Sequence, residues 1–151
     1  MENGYYNNRE AGVTVSVLKD YINRIGLQRL REERIDFGII SPYKAQVYVL
    51  RKLIKSDPFL RKLRRHFTVH TVDGFQGQER DVVLISLVRA NAVGNIGFLR
   101  DLRRMNVAMT RARMKLIVIG SADTLTRHPF YSRLADYIKE RGSFVTAPSI
   151  D

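Results

Sequence analysis

Short apolar runs alternate with amphipathic stretches along this chain, and the alternation predicts strands separated by helices. The apolar runs cover residues 37–40, 67–72, 82–88 and 116–119. The run at 82–88 is continuous rather than alternating, which is typical of a parallel strand covered on both faces. We therefore predict an α/β fold in which a mostly parallel sheet is flanked by helices on both faces.

Apolar residues at helical spacing predict the elements that connect the strands. Asn7 and Glu10 are placed to cap a first helix, whose apolar stripe lies within residues 17–25. Further helices are predicted over residues 43–55, 59–65, 103–113 and 129–142, and a charged connector over residues 29–34.

A polar loop that contains Gly74 and Gly77 separates the second and third apolar runs. Glycine lets a backbone approach a ligand closely, and ligands of α/β sheets gather at loops beside strand ends. The polar side chains of this loop are Asp73, Gln76, Gln78 and Glu79. The loop is a candidate for chemistry, although most loops of this kind are simple connections.

The predicted helix at 103–113 carries several arginines beside an apolar stripe. The stripe comprises Met105, Ala108, Met109 and Ala112. Arg104 and Arg111 are two turns apart on this helix and are therefore expected on one side of it. Such arginines are most often a solvated basic face. The alternative is a phosphate site, because a guanidinium can donate two parallel hydrogen bonds to phosphate oxygens.

Three segments in this order resemble the motifs of superfamily 1 helicases. Residues 40–46 (Ile-Ser-Pro-Tyr-Lys-Ala-Gln) resemble motif IV, residues 71–79 (Thr-Val-Asp-Gly-Phe-Gln-Gly-Gln-Glu) motif V, and residues 106–113 (Asn-Val-Ala-Met-Thr-Arg-Ala-Arg) motif VI. The resemblance is strongest to the branch that contains the nonsense-mediated-decay helicase and senataxin, and it extends over residues 7–142. It implies that residues 1–151 form a single C-terminal RecA-like (P-loop NTPase-like) motor domain.

The resemblance also implies roles for individual residues. Arg111 matches the arginine finger that reaches the γ-phosphate of ATP, and Glu79 matches the glutamate that contacts the nucleotide sugar. Gln76 and Gly77 match positions near the γ-phosphate. The positions that face single-stranded nucleic acid in motifs IV and V correspond to Ser41, Tyr43, Thr71, Val72 and Asp73. Arg104 has two interpretations, a nucleotide contact or an ion pair that holds the helix.

Two parts of a complete motor are missing from the sequence. It contains no Gly-x-x-x-x-Gly-Lys-Ser/Thr phosphate loop and no Asp-Glu pair at the end of an apolar strand. In the family the first motor domain supplies both, so we expect ATP and Mg²⁺ to be cofactors of the full-length enzyme, with Mg²⁺ held by that first domain. We therefore interpret the chain as an excised fragment or a truncated gene product, and we expect it to be inactive by itself. The alternative is a non-catalytic nucleic-acid-binding or regulatory module that retains the fold.

Charge and composition favour an intracellular nucleic-acid-binding domain. The net charge is +11, and residues 41–66 contain eight Lys or Arg but a single acid, Asp57. Such a concentration indicates a polyanionic partner, here single-stranded DNA or RNA, between which the sequence does not discriminate. The chain has no cysteine and no apolar run long enough to span a membrane. We expect a soluble, intracellular monomer, cytoplasmic or, in a eukaryote, alternatively nuclear, whose other partner is the first motor domain, with no membrane contact.

Overall fold

Four parallel strands form one sheet in the structure, a computed structural model that describes residues 6–75, 77–88 and 108–120. The strands are β1 (Phe37–Ser41), β2 (Phe67–Thr71), β3 (Arg80–Ser86) and β4 (Ala112–Ile119), in the spatial order β2-β1-β3-β4. All three pairings are parallel. The predicted α/β, RecA-like class is therefore confirmed, and the continuous apolar run at 82–88 lies mostly in β3, an inner strand with buried residues on both faces.

Two of the described helices precede β1 along the chain, and two lie between β1 and β2. They are α1 (Asn8–Ile25), α2 (Leu27–Glu32), α3 (Lys44–Ser56) and α4 (Pro58–Arg61), and a single 3₁₀ turn follows at Arg64–His66. Asn7 caps α1, since its side chain accepts a hydrogen bond from the backbone N–H of Glu10. The predicted helix at 129–142 lies outside the described residues.

Two predictions about the helices were wrong in detail. The predicted connector at 29–34 is largely helical, because Leu30 is fully buried and anchors α2 against the core. The predicted helix at 59–65 ends early, and α4 is followed by the separate 3₁₀ turn. Asp57 caps α4 by accepting hydrogen bonds from the backbone N–H groups of Phe59 and Leu60.

One face of the sheet is covered by α1 and α3. Leu18 and Ile22 of α1 are buried against this face. The predicted inward residues of α3, Val47, Leu50 and Ile54, are buried as expected. The strand residues in this cluster are Phe37, Ile39, Val82 and Leu84. Burial of so many large side chains is the main source of stability in a domain of this size.

The opposite face of the sheet is crossed by the loop between β2 and β3. These two strands are parallel and are separated by β1, so the loop must return from the carboxyl edge of the sheet to its amino edge. Val72, Phe75 and Ala108 are buried on this face. Residues 72–79 are called the crossing loop below.

Phe75 is the side chain that seats the crossing loop on the sheet. It is 1% exposed and lies directly over Gly38 of β1. A Cβ atom at position 38 would lie 2.6 Å from Cζ of the Phe75 ring and 2.9 Å from Cε2. Glycine is therefore required at position 38 by the close approach of the aromatic ring.

Candidate nucleotide and single-strand site

The crossing loop is held by hydrogen bonds within its own backbone and side chains. The backbone N–H of Phe75 donates to the carbonyl oxygen of Thr71 at 3.0 Å, and that of Gln78 donates to Phe75 at 3.1 Å. The hydroxyl of Thr71 accepts from the N–H of Gly74 at 3.1 Å. Gly77 has φ +80, a conformation that favours glycine. These contacts hold the described residues of the loop, 72–75 and 77–79, in one conformation.

Arg80, the first residue of β3, fastens the loop to the sheet. One of its terminal nitrogens donates to Gln78 Oε1 at 2.8 Å and to Thr68 Oγ1 at 3.1 Å, and the other donates to the carbonyl oxygen of Glu79 at 2.6 Å. The guanidinium carbon also lies 5.3 Å from the centre of the Phe75 ring, within cation–π range. Arg80 is not recognisable as a site residue from the sequence, because its partners lie both on β2 and in the loop.

The amino edge of the sheet brings Arg111 beside the end of the crossing loop. The backbone N–H of Arg80 donates to the carbonyl oxygen of Arg111 at 3.0 Å, so Arg111 lies next to Glu79 and Arg80. The Arg111 side chain is half-buried, and its Nε is buried without a hydrogen-bond partner in the described part of the chain. The Glu79 side chain is 53% exposed and is therefore accessible to a ligand.

The predicted placement of Arg111 on a helix is wrong. In the described part of this segment, Ala108 and Met109 are helical, residues 110–111 form a turn, and β4 begins at Ala112. The helix ends there because Ala112 pairs with Arg80 of β3 and draws the backbone into the sheet. Arg111 therefore cannot share a helix side with Arg104, which itself lies outside the described residues. Ala108 is buried as predicted, and Met109 and Ala112 pack against the same cluster.

Arg113 joins two aspartates at the amino edge and was not singled out from the sequence. Its Nε donates to Asp81 Oδ1 at 3.0 Å, and a terminal nitrogen donates to Asp36 Oδ1 at 3.2 Å. Desolvation works to raise the pKa of Asp81, but hydrogen bonds from the Asp36 backbone and from Arg113 outweigh it, so this pKa is lowered. Glu79 Oε2 lies 3.9 Å from Arg113, which links the cluster to the exposed carboxylate.

The carboxyl edge of the sheet holds the residues predicted to face single-stranded nucleic acid. Ser41 and Tyr43 are fully buried and Val72 is 6% exposed, whereas Thr71 is half-buried and Asp73 is exposed. Ser41 Oγ accepts from the Tyr43 backbone N–H at 3.4 Å, and the Ser41 carbonyl oxygen accepts from the Val72 N–H at 3.1 Å. The structure brings the five residues to one edge of the sheet. Of these, Thr71 and Asp73 are the most accessible to single-stranded nucleic acid, because the other three are buried. Their roles stay predictions, as do those of Gly77, which is exposed, and of Gln76, which lies outside the described residues.

A buried carboxylate, Glu10 of α1, fixes the end of β3. Its Oε2 accepts hydrogen bonds from the Ser86 hydroxyl and, at 2.8 Å, from the backbone N–H of Val88. Ser86 Oγ also accepts from Gln46 Nε2 of α3 at 3.1 Å. Val88 has φ +59, which is uncommon for a β-branched residue, so the Glu10 contact stabilises an unfavourable conformation. The spacing of Asn7 and Glu10 predicts only helix capping, because the partners of the Glu10 carboxylate are more than seventy residues away in the chain.

The buried position of Glu10 makes stability depend on pH. Desolvation raises its pKa from 4.5 to about 7, against the opposing hydrogen bonds from Ser86 and Val88. The native chain therefore holds a proton that the unfolded chain releases above its ordinary pKa, so the contribution of Glu10 to the free energy of unfolding falls as pH rises from about 4.5 to 7. Glu10→Gln should abolish roughly 3 kcal/mol of this decline, because each pKa unit corresponds to about 1.4 kcal/mol.

Thermal unfolding of the chain between these pH values tests the Glu10 prediction. The exposed Glu32→Gln serves as the control, since Glu32 only accepts a hydrogen bond from Gln28 on the surface of α2. Wild type and Glu32→Gln should follow the same curve of stability against pH, whereas Glu10→Gln should gain roughly 3 kcal/mol relative to both between pH 4.5 and 7 and be the most stable of the three above pH 7. Parallel curves for all three proteins would show that Glu10 does not titrate in this range.

Two classes of feature are absent from the described residues. No group of three or more His, Cys, Asp or Glu side chains is placed to hold a metal ion in the part of the chain that the structure describes. No helix in residues 6–75, 77–88 and 108–120 is both long and apolar enough to cross a membrane.

Comparison with known proteins gives consistent matches. The AAA domain family matches residues 1–123. DNA polymerase alpha-associated DNA helicase A of Saccharomyces cerevisiae is 39% identical over 139 residues, which are 91% of this chain and 19% of that protein. Helicase sen1 of Schizosaccharomyces pombe is 36% identical over 146 residues, 97% of this chain and 8% of that protein. Regulator of nonsense transcripts 1 of Dictyostelium discoideum is 41% identical over 109 residues, 72% of this chain and 8% of that protein. The chain thus spans less than a fifth of the length of each of these relatives.

Proposed function

This chain belongs to the superfamily 1 helicases, in the branch of the nonsense-mediated-decay helicases and senataxin, and we propose that it is their C-terminal motor domain. In this role it supplies the arginine finger and half of the sites for ATP and for single-stranded nucleic acid. A first motor domain, which carries the phosphate loop and the Mg²⁺ ligands, completes both sites. ATP hydrolysis between the two domains then drives movement along the strand.

The observation that carries this proposal is the path of the crossing loop. The loop follows Thr71 at the carboxyl edge, passes over β1 at Gly38, and ends at Glu79 beside the turn that contains Arg111. The candidate strand contacts and the candidate nucleotide contacts are therefore joined by one short, hydrogen-bonded segment. A movement at either edge is transmitted to the other because Phe75 and Arg80 hold the segment against the sheet.

The amino edge is suited to receive the phosphates and the ribose of ATP. Arg111 can donate to developing negative charge on the γ-phosphate, which is the step that an arginine finger accelerates. The exposed carboxylate of Glu79 can accept a hydrogen bond from a ribose hydroxyl. Gly77 and Gln76 precede it in the loop, and exposed backbone at Gly77 leaves room for a phosphate. Nothing in the chain's sequence supplies the phosphate-loop lysine, so it cannot orient the phosphates alone.

We expect the purified chain to release phosphate from ATP only at background rate, with Mg²⁺ and single-stranded nucleic acid present. Joined to a first motor domain that contains the phosphate loop, it should hydrolyse ATP and be stimulated by the strand. A steady-state phosphate-release assay on both proteins tests this. Robust turnover by the chain alone would contradict the half-site assignment. A joined protein that binds the strand but never hydrolyses ATP would favour the non-catalytic module instead.

A further inference from the structure

A groove of about 420 Å³ runs between α3 and the outer edge of β2, outside the motifs that carry the proposed function. Its floor is apolar and is formed by Ile54, Phe67 and Val69. Because α3 starts at the carboxyl edge and runs back along the sheet, the groove leads from the candidate strand contacts towards the amino edge. It therefore extends the path that a strand would take over this domain.

The walls of the groove are strongly basic. Arg51, Lys52, Lys55 and Arg64 line it, and no acidic side chain of the described residues does. None of these four cations forms an ion pair with a carboxylate among the described residues. Asp57, the single acid of residues 41–66, is bonded at 2.8 Å to Lys19 and caps α4, so it does not neutralise the groove. The groove is thus suited to a polyanion.

An exposed aromatic ring lies among these cations. Tyr48 lines the same groove. It is 65% exposed, whereas tyrosine residues are usually at least partly buried. The Lys52 ammonium lies over one face of the ring, 5.8 Å from its centre, and the exposure of Tyr48 leaves the rest of the ring accessible to a ligand. Aromatic rings between cations are the composition of single-strand sites, where bases stack on the rings and phosphates contact the cations.

The edge of β2 is blocked against addition of a peptide strand. Arg51 donates to the carbonyl oxygen of Val69 at 2.6 Å and 3.0 Å and contacts His70 Nδ1 at 3.0 Å. Desolvation, then the charges of Arg51 and Arg80, lower the pKa of His70, which favours the neutral ring that can accept from Arg51. A covered edge carbonyl cannot pair with an incoming strand, so the groove favours a nucleic acid over an acidic peptide.

We propose that this groove is an additional binding track for single-stranded nucleic acid. Tyr48 stacks on a base, and Lys52, Lys55 and Arg64 contact the phosphates that flank it. The track deepens the proposed function and rests on it, because it extends the strand path beyond the loops of the carboxyl edge. It reads no sequence, since stacking and phosphate contacts are available to every nucleotide.

Fluorescence anisotropy of the chain with a labelled oligothymidylate of about sixteen nucleotides tests the track. Lys52→Gln/Lys55→Gln should reduce the slope of log K against log salt by about 1.4, since each phosphate contact on a single strand contributes about 0.7. The matched control is Arg24→Gln/Arg31→Gln, which removes two exposed charges from α1 and α2 and should leave the slope unchanged. Tyr48→Ala should weaken binding about tenfold without changing the slope.

Ultraviolet cross-linking gives a readout that does not depend on a variant, and the cross-linked peptide should contain Tyr48. Groove variants that bind like the control, while Thr71→Ala binds more weakly, would overturn the track and leave the proposed function intact. Competition by polyglutamate as effective as that by the oligonucleotide, unaffected by Tyr48→Ala, would identify an acidic protein as the partner and also overturn it. A wild-type chain that binds no strand at all would contradict both the track and the proposed strand contacts.

Discussion

In a motor that contains both domains, Arg111→Ala is expected to lower kcat for ATP hydrolysis by about 10³–10⁵-fold. The guanidinium stabilises charge that develops on the γ-phosphate, so the loss falls on kcat far more than on KM. Binding of single-stranded nucleic acid should stay close to wild type, because the contacts proposed for the strand lie at the opposite edge of the sheet. Steady-state hydrolysis and strand binding, measured on the same preparation, test both parts.

Two variants sharpen the Arg111 experiment. Arg111→Lys should recover little activity, since an ammonium cannot reproduce the forked geometry of a guanidinium. Lys115→Ala removes an exposed cation of β4, four residues further on, and should keep hydrolysis within about twofold of wild type. If Arg111→Ala hydrolysed ATP as Lys115→Ala does, Arg111 would be a surface charge and the motif VI assignment would be wrong.

The sheet could be predicted from the sequence because each strand carries its own signal. The apolar run at 82–88 is continuous, and a strand buried on both faces needs no other information. The buried face of α3 could also be predicted, since its apolar residues Val47, Leu50 and Ile54 recur at helical spacing. These are local patterns, and the structure reproduces them at nearly the predicted bounds.

The site was less predictable because distant pairing decides its geometry. The helical pattern around Arg111 continues through Ala112, yet β4 begins at Ala112 because that residue pairs with Arg80. Ser41 carries a short hydroxyl suited to phosphate, but packing buries it completely. Glu10 has the spacing of a capping residue, whereas its carboxylate is bonded to Ser86 and Val88. In each case a contact distant in sequence overrides a local preference.

The contact between Gly38 and Phe75 should determine how strongly strand binding at the carboxyl edge of the sheet stimulates ATP hydrolysis at the amino edge. Gly38→Ala places a methyl group 2.6 Å from the ring of Phe75, so the ring and the crossing loop must shift. Overpacking of this kind costs about 1–3 kcal/mol of folding stability. In a two-domain motor it should also reduce the stimulation of ATP hydrolysis by single strand, because Thr71 and Glu79 lie at the two ends of the displaced segment.

A double-mutant cycle separates this steric effect from a general loss of stability. Phe75→Leu shortens the side chain and removes the two ring atoms that the new methyl group would meet, so Gly38→Ala/Phe75→Leu should be more stable than the sum of the single changes predicts. The double variant should also regain part of the strand stimulation that Gly38→Ala loses. The cycle requires thermal unfolding of the chain and hydrolysis by the two-domain motor, with and without strand. Strictly additive stabilities would mean that the ring does not pack on Gly38. Normal stimulation in a destabilised Gly38→Ala motor would mean that the crossing loop does not couple the two edges.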